Sequence, residues 1–330
     1  MERSRRRFLK LAASAAAFPL SGLARAQVYP ARPISLIVPF PAGGPTDFIA
    51  RVLAERMRAS LEQTVVVENT SGAANGSVGV GRLARAAPDG YTIGIGHWSS
   101  NVVNGAIYSL PYDLLTDFEP LALLTTNPLV LVGKNALAAK NLRELVQWMK
   151  ANPGKALMGT AGVGSPNHVA AAFLERLTGV KLQLVHYRGG APSMQGLMTG
   201  EIDLLCPQPP LVLPLVNDGK IRAYTVTAQK RMVIAPEIPT SAEAGVADFD
   251  LSVWHGLWVP RDTPKPIVAK LNASIVEALA HPSVRKALGD AGQEIATREQ
   301  QTPEGFRAFQ KAEIEKWWPI IKAANIKGEG

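Results

Sequence analysis

A single cysteine, Cys206, stands in a chain of 330 residues. An intrachain disulfide and a thiolate metal cluster are both excluded, and a buried structural thiol is expected. Aromatic residues are sparse, at 6%, and no segment after residue 26 sustains the roughly 20 apolar residues of a membrane-spanning helix. The histidines, at 97, 168, 186, 255 and 281, show no H-E-x-x-H spacing. Neither G-x-x-x-x-G-K-[ST] nor G-x-S-x-G occurs, and Gly76, Gly79 and Gly81 run G-x-x-G-x-G, the reverse of the dinucleotide fingerprint. Ser283 to Lys286 matches S-x-x-K, yet a serine after Pro282 at a helix start is an ordinary cap. No metal, cofactor or catalytic residue is therefore expected.

What is present begins with "MERSRRRFLKLAASAAAFPLSGLARAQ", which has the parts of an export signal: a basic stretch, a short alanine-rich apolar stretch from Leu11 to Ala24, and small residues at Ala24 and Ala26. Ser4 to Lys10 fits a twin-arginine signal, with cleavage expected after Ala26 and the periplasm as destination. Residues 1–26 hold six Lys+Arg and one acid, so the rest of the chain has 29 basic against 26 acidic residues, a formal charge of +3 where the whole has +8. Removing the signal also removes the main compositional support for a nucleic-acid partner. The remaining length exceeds what one hydrophobic core usually organises, and two domains are expected.

From Ile34 onward, short β-type runs alternate with helical ones: "ISLIVPF", a helix over 46–60, "TVVVEN", a helix near 76–86, "YTIGIG". After "LALLTT" and "LVLVGK" the alternation resumes through "KALMGT", a helix near 166–178, "QLVHY", "IDLLC" and "IRAYTVT". The pattern predicts parallel α/β structure. The last third differs, with "VWHGLWVP" followed by helical stretches over 265–281, 283–291 and 303–323. First and last portions sharing one domain would produce that asymmetry.

Two segments share one logic. Pro41, Ala42, Gly43 and Gly44 lead from a strand to a helix opening at Thr46 or Asp47; Gly162 to His168, with Gly164 and Ser165, does the same further on. The first N–H groups of a helix lack intrahelical partners and carry about half a positive charge, which suits an anion. Gly44 precedes a proline and is expected to be extended. Either turn also reads as a plain tight connection capped by Thr46, Asp47 or Ser165, and His168 as a hydrogen-bonded loop histidine. Trp98, Trp254 and Trp258 follow strand-like runs; Trp254 is the first candidate for a cleft wall, although packing explains a tryptophan equally well. Trp317 and Trp318 read as core.

The chain as a whole resembles the Bug/TctC family of periplasmic solute-binding proteins of tripartite tricarboxylate transporters. The resemblance rests on "RPISLIVPFPAGGPTD", "PDGYTIGI", "LPYDLLTDFEPLALL", "MKANPGKALMGTAGVGSPNHVAAAFLE", "VHYRGGAPSMQGLMTGEIDLL" and "IPTSAEAGVADFDLSVWHGLWVPRDTPKPIVAKLN" in that order. It implies a two-domain Venus-flytrap fold of the type II periplasmic-binding class, with residues 27–126 plus 248–330 in one domain, 127–247 in the other, and a ligand cleft between them. It further implies an organic carboxylate gripped by the backbone of the two glycine loops, delivered by a monomer to a membrane permease. Ser100-Asn101, where many relatives carry Thr-His, with Ser99 before them, and Asp203, followed by Leu204-Leu205-Cys206-Pro207 where an aromatic is common, are expected near the ligand's far end. Arg188 is the reserve candidate for a cationic contact with the carboxylate, and Gly189 beside it is expected at the ligand as well. An exported enzyme acting on a carboxylate, and a loaded receptor for a sensor kinase, are the alternatives.

Overall fold

The computed structural model describes residues 29–72 and 75–328; the export signal expected over residues 1–26, with its cleavage position, lies outside them. Strand β1 (Ile34–Val38) pairs in parallel with β2 (Val65–Asn69) and β3 (Thr92–His97), and helices α1 (Pro45–Leu61) and α2 (Ser77–Ala84) return the chain between them. Helix α1 buries Ile49, Ala50, Leu53, Met57 and Leu61, a three-and-four spacing that presents one apolar face to the sheet. Pro45 fits its first position, where no N–H is needed. After β3 a turn of π-helix over Ser99–Val103 leads into α3 (Asn104–Ile107), and β4 (Phe118–Pro128) completes the first passage.

The chain then builds a second sheet. It holds β5 (Val130–Lys134), β6 (Ala156–Thr160), β7 (Leu182–His186), β8 (Leu204–Leu205) and β9 (Ile221–Val226) in the order β7-β6-β8-β5-β9. Helices α4 (Leu142–Ala151), α5 (Pro166–Thr178), α6 (Gly190–Thr199) and α7 (Pro209–Asn217) connect these strands. β10 (Ser252–Pro260) returns to the first sheet between β4 and β3, followed by α8 (Lys265–Ala280), α9 (Pro282–Asp290), β11 (Glu294–Ile295) and α10 (Pro303–Ala323). The first sheet has the order β11-β4-β10-β3-β1-β2.

Both sheets are mixed, a correction to the parallel expectation. β10 runs antiparallel to β3 and β4, and β5 antiparallel to β8 and β9. The reason is the crossing itself: a strand arriving from the other sheet enters at the edge where its parallel neighbours end, and so must run against them.

The two crossings are tied to each other at Leu129, Thr227 and Leu251. The Thr227 hydroxyl accepts the Leu129 N–H at 2.8 Å and donates to the Leu251 carbonyl at 2.6 Å. Its own N–H donates to Leu129 O, and its carbonyl accepts the Leu251 N–H. Beside this knot, Phe173 of α5 packs on Trp317 of α10 and on Phe249, with ring centroids 5.3 and 5.9 Å apart. Thr227 is fully buried, so removing the hydroxyl leaves a buried donor unmatched. Thr227→Val, which conserves shape, is expected to lower unfolding free energy by about 1–3 kcal/mol, measured by urea denaturation.

Candidate ligand-binding site

Four strand ends define the site. β1 and β3 are parallel neighbours in the first sheet, β6 and β8 in the second, and each pair ends in loops at its C-terminal edge, where open α/β sheets bind ligands. The β1–α1 loop spans 39–44, the β6–α5 loop 161–165, and the β8–α7 loop Cys206 to Gln208.

The first loop is braced by Asp47. Its carboxylate accepts the Gly43 N–H at 2.8 Å, Arg51 Nε at 2.9 Å and Asn69 Nδ2 at 2.9 Å, while Asn69 also donates to the Phe40 carbonyl. Burial works against ionisation of Asp47, but the hydrogen bonds from Arg51, Gly43 and Asn69 outweigh it and hold the carboxyl below the usual range. Gly43 takes φ +81°, a conformation that suits glycine. Gly44 is extended at φ −82°, ψ 172°, and caps α1 with no side-chain acceptor. Among the described residues, no protein acceptor meets the N–H groups of Gly44, Thr46 and Asp47. Pro41 and Ala42 form the exposed approach to this turn. Thr46 Oγ1 contacts His255 Nε2 at 3.1 Å.

In the second loop Gly162 and Gly164 have φ of +113° and +71°. Ser165 Oγ accepts the His168 N–H, and His168 Nδ1 accepts the Gly164 N–H at 3.2 Å, which puts the neutral ring's proton on Nε2. The N–H groups of Val163 and Asn167 have no protein acceptor among the described residues, and the buried Asn167 Nδ2 is likewise unpartnered. The second loop meets the first half of the chain at the turn before α2 and at α3. Asn75 Nδ2 donates to the Val163 carbonyl at 3.0 Å, and a Cβ at Gly164 would collide with Ile107 Cδ1 and Asn75 Nδ2. This chain therefore stands with its halves in contact at the second loop.

Several residues expected at the site do other work. Trp254 is corrected: it is fully enclosed, its Nε1 donates to Glu313 at 3.0 Å, and Phe306 and Phe309 pack on it, so it faces α10 and offers the cleft nothing. Trp98 and Trp258 are buried in the same core. Asp203 precedes β8 and so lies at the wrong end of that strand; it is bound to Lys134 Nζ at 2.6 Å and to the Leu157 N–H. Asn101 packs its carboxamide against Gly96 and Trp258, inside the first half. Ser99 and Ser100 serve their neighbour: Ser99 N–H and Oγ engage His97 Nδ1, and Ser100 Oγ bonds the His97 backbone. Arg188 is exposed beside Gly189, at the end of the edge strand β7.

The residues missed are His97, His255, Asn75, Asn167 and Gln208. His97 stacks on His255 with centroids 4.9 Å apart and reaches Gln208 of the other half, 3.5 Å between Nε2 atoms. On the second side His168 pairs with His186 at 4.8 Å. Each glycine loop thus has a histidine pair behind it.

Burial pushes the His97 ring down to about 4. In the unfolded chain it titrates near 6.5, so between those values the unfolded state binds more protons and stability falls as pH falls through the window. By pH 4 this single group costs on the order of 3 kcal/mol. The urea midpoint is expected to drop between pH 7 and pH 4.5, and His97→Gln to make the drop smaller.

Comparison with known proteins agrees with this architecture. Residues 49–326 match the model of the family "TctC: Tripartite tricarboxylate transporter family receptor". The chain is 37% identical to the periplasmic binding protein BugD, with a TM-score of 0.80 over 91% of this chain and 100% of that one. It is 35% identical to MatC (Rpa3494) from Rhodopseudomonas palustris, solved with bound malate, with a TM-score of 0.79 over 89% and 100% of the two chains. It is 31% identical to R. palustris Rpa4515, solved with adipate, with a TM-score of 0.81 over 91% and 99%. Two sheets exchanging strands through paired crossings, a glycine loop at the C-terminal strand end of each sheet, and likeness over nearly the whole described chain lead to one conclusion: the protein belongs to the TctC family of tripartite tricarboxylate transporter receptors and has their two-domain periplasmic-binding-protein fold.

Proposed function

We propose that this protein is an exported, non-catalytic receptor that captures an organic carboxylate in the periplasm and delivers it to the membrane permease of a tripartite tricarboxylate transporter. The observation that carries the proposal is the set of unpaired N–H groups on the two loops, Gly44, Thr46 and Asp47 on one side, Val163 and Asn167 on the other. Four charge-assisted bonds of about 1.5–3 kcal/mol each give roughly 6–12 kcal/mol before the costs of association, against about 8 for micromolar binding. No binding arginine is required, and the acids held by MatC and Rpa4515 belong to the same chemical class. Among the described residues no helix is long and apolar enough to cross a membrane. We assign residues 27–126 plus 248–330 to one domain and 127–247 to the other, the cleft closing as the acid bridges them.

Native mass spectrometry of freshly purified protein is expected to find a retained small acid; protein that stays empty and binds no carboxylate by calorimetry would overturn the reading. The Asn75–Val163 contact makes closure separable from capture. Asn75→Ala is expected to weaken binding of the identified acid about fivefold through a faster dissociation rate, read by stopped-flow fluorescence.

A further inference from the structure

The loops account for one carboxylate, and the cleft edge beside them has a different chemistry. β3 and β8 are the parallel neighbours of β1 and β6, so His97 and Gln208, at their C-terminal ends, meet alongside the glycine loops. The Ser99 N–H donates to His97 Nδ1 at 3.1 Å, so the neutral ring carries its proton on Nε2, directed at Gln208. That proton needs an acceptor. The carboxamide, whose oxygen and nitrogen exchange by a half-turn, therefore gives His97 its oxygen, and its NH2 takes the other position, which is buried and, among the described residues, without a protein partner.

Three features make this edge unfit for a second carboxylate. First, Gln208 caps α7, whose first two residues are Pro209 and Pro210, so two of the donors that a helix start ordinarily offers are missing. The next one, Leu211 N–H, is already given to the Gln208 carbonyl. Second, no lysine or arginine is among the buried residues described, and Arg188 is exposed. Third, the buried polar atoms left without partners here belong to uncharged side chains. They are those of Gln208, His255 Nδ1 and both carboxamide atoms of Asn127, which shares a sheet face with His255 through the β4–β10 register. A hydroxyl, carbonyl or amide satisfies such atoms, whereas a second carboxylate would be desolvated without a counter-charge.

From this geometry we infer that Gln208, with His97 behind it, sets specificity by reading an uncharged hydrogen-bonding group at the far end of the ligand, so that the protein prefers a monocarboxylate bearing a terminal hydroxyl or carbonyl over a dicarboxylate of equal length. The inference rests on the carboxylate reading of the glycine loops.

Calorimetric titration with length-matched probes tests it: 4-hydroxybutanoate against butanedioate, 5-hydroxypentanoate against pentanedioate, and 6-hydroxyhexanoate against hexanedioate. At the length that binds best, the hydroxy acid is expected to bind at least tenfold more tightly than its dicarboxylate. Gln208→Leu is expected to erase that advantage, so that on the variant the hydroxy acid binds no more tightly than the unsubstituted monocarboxylate of the same length. The double variant Pro209→Ala, Pro210→Ala, which restores two N–H donors, is expected to improve the dicarboxylate, so the test survives a Gln208 variant that fails to fold. A dicarboxylate that binds wild-type protein as tightly as its hydroxy partner overturns the inference and leaves the carboxylate reading standing. Failure of every acid, monocarboxylates included, overturns the carboxylate reading and this inference with it.

Discussion

Everything that faces the cleft depends on the chain passing twice between its sheets at one place. Thr227 holds that place by bonding both Leu129, between β4 and β5, and Leu251, just before β10. With the crossings pinned together, the sheets can present only one pair of edges to each other, and those are the edges at which β1, β3, β6 and β8 end. The helices that follow β1 and β6 then start at the cleft, as does α7 after β8. The binding chemistry is thus a consequence of topology: unpaired amides lie where the strands stop. The packing of Phe173, Phe249 and Trp317 beside the knot gives the halves a common apolar floor, while at the rim one hydrogen bond, Asn75 to Val163, sits beside the Ile107 side chain against Gly164. A floor that is hard to break under a rim that is easy to break is what opening and closing about a fixed axis requires.

Electrostatically the site is built without free charge. Asp47, the one acid inside the first loop, is engaged by Arg51, Asn69 and the Gly43 amide, so it shapes the turn and does not face an anion bare. Burial lowers the proton affinity of His97, His168 and His255, and His255 and His168 also feel their ring partners. A neutral imidazole both donates and accepts, and in two of these rings the accepting nitrogen is spent on bracing: His168 Nδ1 on Gly164, His97 Nδ1 on Ser99. What remains toward the cleft is donor character from N–H groups that cannot move or titrate. Such donors favour an anion through fixed dipoles while the protein carries no ion of its own that must be desolvated.

Much of this was legible in the sequence because it is local. A strand, a glycine pair and a proline that opens a helix define a turn within ten residues, and both the Gly43–Thr46 and Gly162–Pro166 turns have that form. What failed was long-range. Trp254 follows a strand-like run, but which face it takes depends on α10, some 50 residues later, laying Phe306 and Glu313 over it. Asp203 and Gln208 lie five residues apart on either side of a two-residue strand, and only the pairing of β8 with β6 tells which end meets the cleft. The sheets are mixed because strands cross between halves, a fact that no alternation of apolar runs encodes.

Gln208 shows how such a residue escapes a motif-led reading. Glutamine followed by two prolines looks like a loop entering a helix, and that is what it is. Its importance comes from subtraction: the prolines take away the donors that make other helix starts attractive to anions, and the side chain supplies one neutral amide in their place. The two glycine loops and the β8–α7 loop follow the same strand-to-helix plan at the same edge. They differ in whether the backbone N–H groups survive, and that difference divides the cleft into a part suited to charge and a part suited to a neutral hydrogen-bonding group.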